Sequence, residues 1–244
     1  MIIAKVNSLE RKIKRLVPSL LKTIIVKTLT NKFFGKIIKI INPKKNLLGG
    51  IFDYKNVSHK EAAEIFFGFW ESSEIRFAME YAKSNTIIEL GSSVGVMLGV
   101  LANKRQNTNF ICVEASPINF KKLLKLKTIL PDNFNNYEFI NKAIYYGSDH
   151  VEFKHLSTKG SRTVINNASK NTIQLPCITL NAIINDYEIK EDYTLITDIE
   201  GDEASIFFND SIALNLCKNI IAEIDDSPLA TAKEQISQLQ KIGF

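Results

Sequence analysis

From Leu16 onward, apolar residues recur as Leu16/Val17, Leu20/Leu21, Ile24/Ile25, Leu29, Phe33/Phe34, Ile37/Ile38 and Ile41, with Lys22, Lys27, Lys32, Lys36 and Lys39 between them. Spacings of three to five residues put the apolar set on one side of a 3.6-residue period, which predicts a single amphipathic helix over residues 16–41. Pro18 suits its first turn, because the missing N–H has no intrahelical partner there. The longest apolar run in it is Ile24-Ile25-Val26, far short of the ~20 residues of a membrane span. No apolar core followed by a small-residue cleavage site marks a secretory signal. Asn42-Pro43-Lys44-Lys45 and Gly49-Gly50 read as a linker. Ser58-His59-Lys60-Glu61 has capping-box spacing ahead of a helix carrying Ala62, Ile65, Phe66 and Phe69, and Ser72 or Ser73 is placed to cap another with Ile75, Ala78, Met79 and Ala82.

From residue 86 the pattern changes to alternating short apolar runs and helical segments. Residues 86–90, 110–113, 137–140 and 193–198 read as buried strands, 151–153 and 173–178 as further extended pieces, and 220–224 as a last strand. Helices are predicted over 96–102, after Ser116-Pro117, over 203–216 and near 229–241. This order predicts an α/β, Rossmann-like fold: a mostly parallel sheet with helices on both faces. Three stretches follow: a basic helical arm with linker (1–50), a helical lead-in (51–85) and the α/β domain (86–244). A length of 244 residues suits one core with an appendage.

Charge separates the arm from the body. Residues 1–50 hold 12 of the 31 Lys/Arg and one of the 26 acids, a net +11, which leaves −6 on the rest of a chain whose total is +5. A basic amphipathic helix either packs on the body or a second subunit, or lies on an anionic membrane. Nucleic acid is excluded as a partner, because no aromatic stacking groups interleave the lysines and no reading motif is present. Cys112, Cys177 and Cys217 lie far apart beside apolar runs and read as buried free thiols. A cytoplasmic protein, peripheral at the inner face of the membrane if the arm binds lipid, is the expectation. His59, His150 and His155 form no metal-ligand pattern and read as surface groups. The richness in Lys, Asn and Ile points to an AT-rich, bacterial genome.

The chemistry concentrates at three strand ends. Ile88-Glu89-Leu90-Gly91-Ser92-Ser93-Val94-Gly95 forms an E-x-G-x-x-x-G turn, in which Gly91 permits a sharp bend and Gly95 permits close approach of a ligand to the helix start. Glu114 follows the second strand, where a carboxylate accepts hydrogen bonds from both hydroxyls of a ribose. The fourth main strand runs into Thr197-Asp198-Ile199-Glu200-Gly201-Asp202-Glu203. In a parallel sheet the carboxyl ends share one crevice, so Glu89, Glu114, Asp198 and Glu200 are expected to converge, whereas Asp202 and Glu203 read as solvated acids favoured by the helix dipole. A nicotinamide dehydrogenase normally carries G-x-G-x-x-G, and residues 91–96 read Gly-Ser-Ser-Val-Gly-Val.

The series IIELGSSVG, ICVEASP, NKAI, PCITLNAII, TLITDIEGDEASI and IIAEID resembles the FkbM-type methyltransferases over residues 68–244, and Trp70-Glu71 resembles a position upstream of the first strand. The resemblance implies a class I methyltransferase fold, S-adenosylmethionine as cofactor, and O-methylation of sugar or natural-product hydroxyls. Matched residue by residue, Gly91, Ser93 and Gly95 fall in the glycine turn and Glu89 near the methionine end of the cofactor. Glu114 matches the ribose acid, Asn141 and Ala143 a segment beside the adenine. Asp198, Glu200, Gly201 and Glu203 match the D-x-E-G-x-E motif, and Glu223 an acid on the next strand. Ser93 stands where the family often has Asn, Thr197 replaces a frequent Lys and Asn181 a frequent Asp. The chain stops at Gly243-Phe244, where the family continues into a last antiparallel strand pair; a shortened member, or a missing C-terminus, with an exposed edge strand is implied. Asp198 or Glu200 is the expected general base, at the carboxyl edge near the methyl, with His155 a distant second. The acceptor is expected to be a small molecule or glycan hydroxyl, in a membrane-linked precursor if the arm binds lipid. The alternatives are a non-catalytic scaffold or membrane-associated member and, further off, a nicotinamide-binding oxidoreductase; the oligomeric state is not legible.

Overall fold

The computed structural model describes residues 19–132, 134–154, 162–164, 173–199 and 201–244. Along the chain the described helices are α1 (Ser19–Leu29), α2 (Lys32–Ile41), α3 (His59–Phe67) and α4 (Ser72–Tyr81), followed by strand β1 (Thr86–Leu90), α5 (Val96–Lys104), β2 (Asn109–Val113), α6 (Pro117–Lys127) and β3 (Asn136–Ile140). Four shorter strands come next: β4 (Ala143–Ile144), β5 (His150–Lys154), β6 (Arg162–Val164) and β7 (Ile173–Ile178). The rest is α7 (Leu180–Asp186), β8 (Tyr193–Thr197), α8 (Glu203–Asn209), α9 (Ser211–Asn215), β9 (Cys217–Ala222) and α10 (Ala232–Lys241).

The main sheet runs β3-β2-β1-β8-β9 with every neighbouring pair parallel. Helices flank it, an α/β architecture compatible with the Rossmann-like expectation. β1, β2 and β8 are buried along nearly their whole length because both of their faces are covered. Ile87, Phe110, Cys112 and Ile196 point into one cluster with Ile65, Trp70, Ile75, Leu98 and Leu123. Ile88, Leu90, Ile111, Val113, Tyr193 and Leu195 point into the other, with Ile183, Ile206 and Phe207. Residues 51–85 therefore join the body's own core: Trp70, Tyr54 and Ile75 are fully buried in it, the Ile75 side chain alone stabilising by about 1.5–3 kcal/mol. A second, smaller sheet has the order β4-β7-β5-β6.

Local chemistry moved several element boundaries. The arm is two helices: the Asn31 side chain accepts from the N–H groups of Phe33 and Phe34 and starts α2 anew, a competition between side chain and helix backbone that periodicity does not register. α2 docks on the body through buried Gly35 and Ile38, and Phe34 meets Phe67 edge to face at 6.1 Å. A Cβ on Gly35 would lie 1.6 Å from the His59 carbonyl oxygen, so only glycine permits this approach. The Ser58–Glu61 capping box forms as expected. The next helix differs, since Glu71 occupies its N-cap in the left-handed region (φ 43°) without a side-chain cap bond. Residues 203–216 divide at Asp210, whose carboxylate accepts from the Tyr146 hydroxyl and from the N–H groups of Leu180 (2.8 Å) and Asn181 (3.3 Å). β9 begins at Cys217 and α10 at Ala232, where Thr231 and Glu234 form a second capping box.

Candidate functional site

The winding of the sheet reverses at its centre. From β1 the chain steps to β2 and β3 on one side, then returns to place β8 and β9 on the other. The reversal falls between β1 and β8, and in α/β sheets the carboxyl ends at such a reversal are where ligands bind. The glycine turn leaves β1 at this place.

Three left-handed residues shape the turn: Gly91 (φ 85°), Ser93 (φ 48°) and Gly95 (φ 81°). The N–H groups of Gly91 and Ser92 donate to the Val113 carbonyl at 2.9 and 3.0 Å, folding the turn over the end of β2. A Cβ on Gly91 would lie 1.9 Å from the Asp198 carbonyl oxygen. Glycine is thus required twice, by φ and by contact with the exit of β8. Ser93 holds a conformation that Asn adopts more readily. Gly95 differs from expectation, because its absent Cβ faces Leu123 and Leu126 of α6, at 2.7 and 2.5 Å. It serves helix packing.

Glu114 follows β2 and is 6% exposed. Its Oε2 accepts from the Ser93 N–H and its Oε1 from the Ser116 N–H, both at 2.7 Å. The carboxylate therefore links the glycine turn to the cap of α6, and each oxygen retains a second acceptor position. Burial pushes this carboxyl up to about 7, with the two backbone bonds pulling the other way. Asn141, just beyond β3, donates from Nδ2 to the carbonyls of Glu114 (2.8 Å) and Ala115 (3.1 Å), joining the exits of β2 and β3. Ala143 is buried in β4, paired with Cys177.

Glu89 is 7% exposed. Burial, reinforced by the negative charge of Glu71, pushes it up to about 8, while bonds from Cys112 and Ser92 partly offset this. The Cys112 thiol donates to Glu89 Oε2 at 3.6 Å, and burial holds that thiol well above its ordinary value. The roles of Cys112 and Glu71 beside Glu89 were not read from the sequence. For Cys112 the signal is present: Glu89 and Cys112 are the fourth residues of β1 and β2, which pair in register and share a face.

Beyond β8 the Asp198 N–H donates to the Leu90 carbonyl at 3.0 Å, so the exit of β8 lies against the exit of β1. Glu200 and His155 lie outside the described residues. Glu203 differs from expectation. It is fully buried, and its carboxylate accepts from the N–H groups of Ile199 (2.5 Å) and Gly201 (2.9 Å), which closes the acidic loop on itself. Burial raises its carboxyl above the usual range. Glu223 is exposed, with its N–H on the Thr197 carbonyl at 3.2 Å. Glu89, Glu114 and Asp198 thus share the carboxyl edge. A groove lined by Lys83, Ser84, Asn85, Glu191, Asp192 and Lys218 lies at the other end of the sheet, where β1, β8 and β9 begin.

Among the described residues, no group of three His, Cys, Asp or Glu is arranged to hold a metal ion, and no helix is long and apolar enough to cross a membrane. No family model matches the chain, and no curated protein matches it.

Proposed function

We propose that the chain is an S-adenosylmethionine-dependent O-methyltransferase, acting on a hydroxyl of a sugar or natural-product acceptor. One observation carries this reading: a buried carboxylate, Glu114, is held by two backbone N–H groups beside the Gly91 turn at the point where the sheet reverses its winding. That chemistry fits an adenosyl nucleoside. The remaining acceptor positions of Glu114 match two ribose hydroxyls, and its fixed geometry removes the entropy cost of orienting the carboxylate. The raised value of Glu114 reports desolvation, which two hydroxyl donors offset. Asn141 keeps an amide oxygen to accept from an adenine amine. Glu89, with Glu71 nearby and its carboxyl raised by burial, ionises when a cationic amino-acid tail comes beside it, because an opposite charge favours the carboxylate.

The cofactor supplies a methyl group on a sulfonium, activated for in-line displacement. The protein holds the acceptor hydroxyl in line, excludes water and removes the proton. Asp198 or Glu200 would accept the proton of the acceptor hydroxyl, and S-adenosylmethionine, held by Glu114, Asn141 and Glu89, would supply the methyl group to its oxygen.

Thermal denaturation of the full chain with S-adenosylhomocysteine tests the binding half. Ligand at about one hundred times Kd stabilises by about 2.7 kcal/mol, a rise of about 5 °C or more for a domain of this size. A folded chain that ignores this ligand, or prefers a nicotinamide dinucleotide, sinks the reading. The base assignment fails if Asp198→Asn and Glu200→Gln each keep near-normal turnover.

A further inference from the structure

The helical arm presents three distinct faces, and among the described residues one of them packs against the body. Gly35 and Ile38 of α2 are buried against the body, and Lys39 donates to the Val57 carbonyl. A separate stripe of Phe33, Ile37, Ile40 and Ile41, spaced four, seven and eight residues from the first, lies on one side of α2 and faces solvent. Phe33 is 67% exposed, Ile40 73% and Ile41 68%. Exposed Lys32 and Lys36 border this stripe, and exposed Lys44, Lys45 and Leu47 follow it. In α1, Ile24 and Ile25 are also exposed, next to exposed Lys27. Residues 11–52 contain 11 Lys/Arg and no Asp or Glu.

We propose that α2 lies in the plane of an anionic lipid bilayer, with Phe33, Ile37, Ile40 and Ile41 in the acyl boundary and the bordering lysines on the headgroups. Contiguous large apolar side chains are rarely left in water without a partner. Charge selects the occupant. A second copy packing this same face against itself brings lysine borders together with no acid from the arm to neutralise them, whereas anionic headgroups supply the charge and the bilayer supplies the apolar phase. α2 has ten residues, so it lies along the surface. The docked face holds the stripe outward on a rigid body, which lowers the ordering cost of binding. This inference does not depend on the methyltransferase reading.

Cosedimentation of the full chain with vesicles of phosphatidylcholine alone, and of phosphatidylcholine with phosphatidylglycerol, tests it. Association with the mixed vesicles only is expected, falling about tenfold or more in Ile40→Ser/Ile41→Ser and in Lys32→Glu/Lys36→Glu. Because these side chains are exposed, the melting temperature of both variants stays within about 2 °C of the parent. Three results overturn the proposal. One is no association with either vesicle. Another is a dimer in light scattering that the isoleucine substitutions abolish, which makes a second copy the occupant. The last is a drop of several degrees in Ile40→Ser/Ile41→Ser, which means another segment of the chain covers the stripe.

Discussion

Glu89 sits almost fully buried between Cys112 and the charge of Glu71, and its carboxyl is pushed from an ordinary 4.5 up to about 8. Glu89→Gln tests what that burial costs. Below about pH 4.5 folded and unfolded chains are both protonated at this position, and the group contributes no pH dependence. Between about pH 4.5 and 8 the unfolded chain has lost the proton and the folded chain retains it, so stability falls as pH rises. The full difference is reached above about pH 8, where it amounts to about 5 kcal/mol, with about 3 kcal/mol already present at pH 7. Gln has nearly the same shape and no charge, and the Cys112 thiol can still donate to its amide oxygen. Its new NH₂ needs a partner in a crowded site and takes back about 1 kcal/mol. The variant is therefore expected to gain about 2 kcal/mol over the parent near pH 7 and about 4 near pH 9, and to lose about 1 near pH 4. Urea denaturation of both proteins at those three conditions measures this, with comparable slopes confirming that only stability has changed. A difference that stays constant with pH, or a variant weaker than its parent at pH 9, refutes the burial account. If Glu89 faces the cationic tail of a bound cofactor, the same substitution also weakens S-adenosylhomocysteine binding by about tenfold, about 1.4 kcal/mol. Stability gained at the expense of binding is common where a site holds a desolvated charge.

Three other outcomes follow from the strand ends and the loop after β8. Gly91→Ala forces a Cβ to 1.9 Å from the Asp198 carbonyl at φ 85°, and is expected to cost about 3 kcal/mol or more in urea denaturation and to abolish cofactor binding. Gly201→Ala has a positive φ but nothing within 4 Å, so it is expected to cost only about 1–2 kcal/mol; equal losses contradict the contact account. Glu114, raised to about 7, must be ionised to accept two hydroxyls, so binding lowers its value. Cofactor affinity is then full above about pH 7 and falls up to tenfold per pH unit below it. Calorimetric titrations that give the same affinity at about pH 8 and about pH 5.5 contradict the assignment of Glu114 to the ribose.

The sequence by itself determined the order of elements, because apolar periodicity is a local property. Strands at 86–90 and 193–197, the Ser58–Glu61 capping box and the Ser116-Pro117 helix start are each written within a few residues. It also placed Glu89, Gly91, Glu114 and Asp198 at strand ends, since each directly adjoins a recognisable run. It did not show that Asn31 restarts the arm helix or that Asp210 divides 203–216. At Asn31 a side chain takes the helix-start N–H groups, and at Asp210 the carboxylate is held by the N–H groups of Leu180 and Asn181 from another helix, while the apolar period runs on through both breaks. Only the tertiary structure decided the functions of burial and approach. Gly95 makes room for Leu123 and Leu126, Gly35 for the His59 carbonyl, and Glu203 turns inward to hold the loop that follows β8. Each depends on what another part of the chain places opposite it. A carboxylate or a missing Cβ is the same letter whether it meets solvent, a leucine or a backbone N–H, so this information exists only after the sheet has assembled.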